Sequence, residues 1–93
     1  MKPAPFEAAG GAAMLSLPEV LRVLGVGRSV AYALMLAGLL PRPVKLGRAS
    51  RWPADEVLAL KAAMLRDDDE GSRRALVRAL TLRRRGASLA LAN

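Results

Sequence analysis

Five basic side chains, Arg28, Arg42, Lys45, Arg48 and Arg51, follow one another through the middle of the chain with no acidic residue between them. Residues of this type in this pattern recognise anions; they do not make or break bonds. Arginine supplies 12 of the 15 basic residues, set against 8 acidic ones for a net charge of +7. Its planar fork suits paired hydrogen bonds to phosphate oxygens and to guanine. Histidine and cysteine are absent, which removes the imidazole proton shuttle, the thiolate nucleophile and the commonest zinc ligands. The densest acidic group, Asp67-Asp68-Asp69-Glu70, reads as a linker and helix cap, because four consecutive carboxylates cannot all face one ion. Gly25-x-Gly27 lacks the third glycine of a dinucleotide fingerprint and follows a helix where that fingerprint needs a strand. A chain of 93 residues also buries too little surface for a layered substrate cavity. These limits together point to a binding module with no enzymatic activity, no cofactor and no metal.

The elements that must carry the basic residues are legible from their punctuation. Residues 1–13, with Pro3, Pro5, Gly10 and Gly11, lack any periodicity and read as a flexible N-terminal arm. Residues 14–66 form the expected domain. Ser16 and Glu19 have the spacing of a capping box, so a helix starts at Leu17, tolerates Pro18 in its first turn and stops at Gly25. A second helix runs from Arg28 to Ala37, with Gly38 at the left-handed capping position. Two short helices joined by a glycine turn make a helix-turn-helix pattern. Pro41, Arg42 and Pro43 forbid helix, and two short runs around Gly47 predict a hairpin with a basic tip. Alternation there predicts Val44, Leu46 and Trp52 packed on the helices, with Lys45, Arg48 and Arg51 outward. Pro53 as a first helical residue, with Asp55 and Glu56 behind it, opens a third helix that buries Val57, Leu60 and Met64. The expected fold is mainly α with a small β-hairpin, a winged helix-turn-helix with an additional C-terminal helix.

Residues 67–93 comprise the acidic linker, an Arg-rich helix from Ser72 to Arg85 and an apolar tail. At helical spacing Leu76, Val77 and Leu80 share one stripe, while Arg74, Arg78 and Arg85 cluster on another. Such an apolar stripe either folds back on the core or docks on a second copy or another partner. Leu89 and Leu91 alternate like a strand that could join a neighbour's sheet, or fray. Leu36, on the second helix, is a further candidate partner contact, and the arginine edge is a candidate phosphate contact. The longest apolar run, residues 30–40, is about half of what a membrane span needs and contains Tyr32 and Gly38. Lys2 alone is a poor signal-peptide start. No membrane association is expected, and the cytoplasm is the expected location.

The stretch LPEVLRVLGVGRSVAYALMLAGLLPRPVKLGRASRWPADEV resembles AlpA-type regulators of phages and integrative elements, and with them the small excisionases of the winged-helix, MerR-like superfamily. Leu17-Pro18-Glu19-Val20, Gly25-Val26-Gly27-Arg28-Ser29 leading to Tyr32, Gly38-Leu39-Leu40-Pro41, Pro43 through Arg48, and Arg51-Trp52 carry the likeness through their order and spacing. The resemblance implies a winged domain that binds double-stranded DNA, with Arg28, Ser29 and Tyr32 at the start of the recognition helix. It places Lys45, Arg48, Ser50 and Arg51 in the wing, against backbone or minor groove.

After Tyr32 the second helix offers Ala33, Leu36 and Ala37, so specificity is expected from DNA shape and from cooperative binding to adjacent sites. The function that follows from the resemblance is that of an excisionase, or recombination directionality factor. It bends DNA for a tyrosine or serine integrase and also acts on transcription, at the nucleoid. The alternatives are a transcriptional regulator of an integrase operon, or an adaptor or antiactivator that grips another protein.

Overall fold

A computed structural model describes residues 13–92, with side chains given through residue 86. The elements in chain order are β1 (Met14–Leu15), α1 (Leu17–Leu24), α2 (Arg28–Leu36), β2 (Val44–Leu46), β3 (Ala49–Pro53), α3 (Ala54–Leu65) and α4 (Glu70–Ala92). This is a winged helix-turn-helix with a C-terminal helix, as the sequence predicts. One element is new. β1 pairs antiparallel with β3, with Leu15 opposite Trp52, and makes a three-stranded sheet in the order β1-β3-β2. Ala13 belongs to the folded domain as well, since its carbonyl accepts a bond from the Ala54 N–H at 2.9 Å. The rest of the predicted arm lies outside the described residues.

The capping box at α1 is formed at both ends. The Ser16 N–H and hydroxyl donate to Glu19 Oε1 at 2.9 Å each, and Ser16 Oγ accepts from the Glu19 N–H. Donation by the Ser16 backbone, then by its hydroxyl, holds the Glu19 carboxyl below its ordinary value. Gly25 ends α1 in the left-handed region at φ 69°, a conformation that strains any residue with a Cβ.

Two apolar clusters make the core. Leu15, Val20, Trp52, Ala54 and Val57 fill the space between α1, the sheet and α3. Ala31, Leu40, Leu60, Val77 and Leu80 form the second, in which α4 closes over α2 and α3. Leu76 is packed against the same cluster. Of the two readings of the Leu76, Val77 and Leu80 stripe, fold-back and partner docking, the structure has the first: the stripe meets the chain's own core, adding apolar area that so small a domain needs.

Four expectations are corrected. Pro53 is the last residue of β3 and the capping position of α3, which begins at Ala54. On α3 the buried residues are Ala54, Glu56, Val57, Leu60 and Ala63, with Met64 only partly covered. The C-terminal helix begins at Glu70, two residues before Ser72, because Asp69 caps it by accepting from the Ser72 N–H at 2.7 Å. That bond, and the Ser72 hydroxyl after it, holds the Asp69 carboxyl below its usual range. The helix continues to Ala92, so the backbone at Leu89 and Leu91 is helical and not extended; their side chains lie outside those described.

Candidate nucleic-acid interface

α2 is positioned from beneath by its one buried residue. Ala31 is fully buried among Leu40, Leu60, Val77 and Leu80, which is where the helix meets the second apolar cluster. With Ala31 inward, Arg28, Ser29, Tyr32, Ala33 and Leu36 all face solvent. Gly27, the residue before the helix, offers no side-chain cap to the first N–H groups of α2. The far end of α2 is held by α4: Arg74 Nε donates to the Ala37 carbonyl at 2.8 Å, placing a cation at the negative end of the helix dipole.

The wing turns at Gly47-Arg48, with Leu46 paired to Ala49 on either side. Gly47 has φ 64°, and glycine at the first of two loop positions is what a type II′ hairpin turn requires. Arg48 stands exposed at the tip. The pairing of Val44 with Arg51 and Lys45 with Ser50 corrects the predicted alternation. Opposite residues share a face, so Val44, Leu46, Ala49 and Arg51 lie on one side, and Lys45, Ser50 and Trp52 on the other. Trp52 is buried, whereas Leu46 is 51% exposed. The wing thus presents cations on both faces and at its tip. Lys45 Nζ donates to Ser50 Oγ at 2.9 Å, and Arg51 Nη1 donates to the Ser50 carbonyl at 2.9 Å.

Trp52 fastens the wing to the chain leaving α2, its indole N–H donating to the Pro41 carbonyl at 2.8 Å in a buried setting. Between α2 and the wing lies a cleft of about 520 Å³ that brings together Tyr32 and Leu36 from the helix with Lys45 and Ser50 from the hairpin, above Leu17, Met35 and Trp52. Arg28, Ser29, Arg48 and Arg51 lie outside its lining.

α4 is built into this arrangement through residues the sequence reading passed over. Arg84 sends Nε and Nη2 to the Glu56 carboxylate at 2.6 to 3.1 Å and Nη1 to the Arg42 carbonyl at 2.9 Å. It thereby joins α3 to the root of the wing. Glu56 is among the most deeply buried side chains of the molecule. A signal for the pair exists in the sequence: Glu56 lies four residues before Leu60, and Arg84 four after Leu80, so opposite charges continue two apolar stripes that face each other. Arg74, a candidate phosphate contact, is engaged within the chain by Glu70 and by the Ala37 carbonyl. Arg78 and Arg85 are exposed and flank Leu82 on the outer side of α4.

The ion pairs are segregated, although Arg22, Lys61, Arg73, Arg78 and Arg85 also lack one among the described residues. All four ion pairs among the described residues, Arg66–Asp68, Arg74–Glu70, Arg83–Asp55 and Arg84–Glu56, involve α3, α4 or the linker between them. Arg28, Arg42, Lys45, Arg48 and Arg51 have no carboxylate partner among the described residues, which leaves a positive potential over α2 and the wing. None of the described helices is long and apolar enough to cross a membrane.

Comparison with the curated proteins and with the solved structures returns no match. Residues 13–58, the segment holding the capping box, both helices of the turn motif and the wing, match the family described as prophage CP4-57 regulatory protein (AlpA), and through this segment the chain belongs to that family of small DNA-binding regulators of prophage origin.

Proposed function

We propose that this protein binds double-stranded DNA with α2 in the major groove and the wing along the neighbouring backbone or minor groove, and that it acts as an excisionase. Adjacent copies bind cooperatively and bend the DNA so that an integrase assembles an excisive complex. The same binding regulates a nearby promoter, in the cytoplasm at the nucleoid. Arg28 and Ser29 contact bases or phosphate at the start of α2, where uncapped N–H groups favour an anion. Lys45, Arg48, Ser50 and Arg51 hold the backbone on either side of the wing.

The observation that supports this most is the placement of the ion pairs. Carboxylates pair with Arg66, Arg74, Arg83 and Arg84, whereas none of the described ion pairs involves a basic residue of α2 or the wing. A second reading, control of transcription without a part in recombination, is favoured by the matched family's description as a regulatory protein.

Binding to labelled attachment-region and promoter duplexes, against a shuffled duplex, over a series of salt concentrations tests both. Affinity for the attachment DNA should fall steeply with salt and the complexes should be cooperative and bent. Arg28→Ala and Arg48→Ala should each reduce the log–log salt slope by about 1. A single unbent promoter complex supports the transcriptional reading, and no binding at low salt overturns both in favour of a protein partner.

A further inference from the structure

The surface that α2 offers to a major groove is unusual in what it lacks. From Arg28 to Leu36 the helix reads RSVAYALML, without an amide or a carboxylate side chain. The side-chain pairings that read adenine through Asn or Gln, and cytosine through Asp or Glu, are thus missing from it. Beyond Arg28 and Ser29 the outward positions that follow Arg28 at helical spacing are Tyr32, Ala33 and Leu36, with Val30 exposed beside them. Tyr32 is 49% exposed and Leu36 is 82% exposed.

Leu36 is the most exposed large apolar side chain among the described residues, and its surroundings favour a polyanion. Leu36 and Tyr32 line the cleft whose opposite wall carries Lys45, with Arg42 also in the lining. None of the ion pairs among the described residues reaches this cleft. The apolar group that duplex DNA displays on the floor of its major groove is the thymine C5-methyl.

Resting on the reading above that α2 enters the major groove, we infer that Leu36, supported by Tyr32 and Ala33, reads thymine methyl groups and sets the sequence preference of the site. Recognition by this helix is then a matter of methyl contact, with Arg28 anchoring its start.

Duplexes selected from a randomised library by the full-length protein provide the probe, resynthesised with uracil in place of thymine. That exchange removes the methyl and leaves every base-pair hydrogen bond intact. Selected duplexes should share thymines, and uracil at those positions should weaken binding about fourfold per contacted methyl, the loss expected for one buried carbon. Leu36→Ala should bind thymine and uracil duplexes with nearly equal affinity while keeping the salt dependence of the wild type. Because Leu36 is so exposed, this variant should retain the wild-type helical circular dichroism. Salt-dependent binding that is indifferent to uracil, or a thymine preference that survives Leu36→Ala, overturns the assignment and leaves DNA binding standing. Absence of salt-dependent binding to any duplex overturns both together.

Discussion

Replacing Arg84 by Ala tests whether α4 is an integral brace of the domain. Its guanidinium makes three contacts to the two Glu56 oxygens and one to the Arg42 carbonyl. The Glu56 side chain is 3% exposed and that of Arg84 22%. Removing Arg84 therefore strands a buried carboxylate. Breaking one side of such a pair costs about 3–5 kcal/mol, and the partial exposure of Arg84, which lets water enter its vacated place, puts the expected loss near the lower end. For a domain of this size each kcal/mol lowers Tm by about 4–8 °C, so a fall of roughly 12–24 °C is expected.

The structure supplies its own control. Arg83 and Asp55 pair at 2.8 Å between the same two helices, but with side chains 60% and 44% exposed. Arg83→Ala should cost about 0–1 kcal/mol. Chemical denaturation at neutral pH, followed by circular dichroism, measures both variants, together with Glu56→Leu/Arg84→Met. The double variant should recover most of the loss, because apolar side chains of similar volume satisfy a buried site without the cost of taking charge out of water. An Arg84→Ala variant within about 1 kcal/mol of Arg83→Ala would refute the reasoning: the pair would then be solvated in solution, with α4 held by Val77 and Leu80 alone.

Four more perturbations address the helix ends and the wing. Gly25→Ala should cost about 1–2 kcal/mol, all of it from backbone strain, since a Cβ there has nothing within 4 Å to touch; a neutral result in denaturant titration would refute the left-handed cap. Ser16→Ala should cost about 1 kcal/mol at neutral pH. Because the Glu19 carboxyl is held below its ordinary value, its contribution is complete above the unfolded value of about 4.3 and is lost as pH falls through the lowered folded value. Stability measured from pH 6 downward should accordingly decline less steeply in Glu19→Gln than in wild type, and equal slopes would refute this. Trp52→Phe removes the donor to the buried Pro41 carbonyl and should cost about 1–3 kcal/mol; a denaturation midpoint unchanged from wild type would show that the bond does not anchor the wing.

The ends of α1 and α2 were the most legible part of this chain because their causes are local. The capping box, Gly25, Gly38 and the Pro41–Pro43 break act within a few residues and appear where the sequence places them. The wing was legible as an element but not in its facing. A two-residue turn at Gly47-Arg48 sets the register, and placing Trp52 inward then puts Lys45, still exposed, on the same face and Leu46 on the opposite one. β1 escaped because two residues carry no periodicity, and its existence depends on the free edge of β3. The basic surface could be read from residue types alone. What could not be read directly was which arginines belong to it, since Arg83 and Arg84 find their carboxylates 28 residues away.

That division of the arginines explains how so small a domain remains folded while keeping one face strongly positive. Unpaired cations repel one another and destabilise a compact chain, so pairing arginines that binding does not need limits the repulsion. Asp55, Glu56 and Glu70 are committed on α3 and α4 to arginines that would otherwise add to the repulsion. The same contacts serve the front of the molecule. Arg74 holds the C-terminal end of α2, Arg84 holds the chain entering β2, and Val77 and Leu80 support Ala31 from below. α4 therefore ties α2 to the root of the wing, and in the docking proposed above their separation decides whether both can engage one duplex at the same time. A lesion in the buried Glu56–Arg84 pair should consequently weaken DNA binding without touching any residue of the interface, whereas a lesion in the exposed Arg83–Asp55 pair should leave it intact.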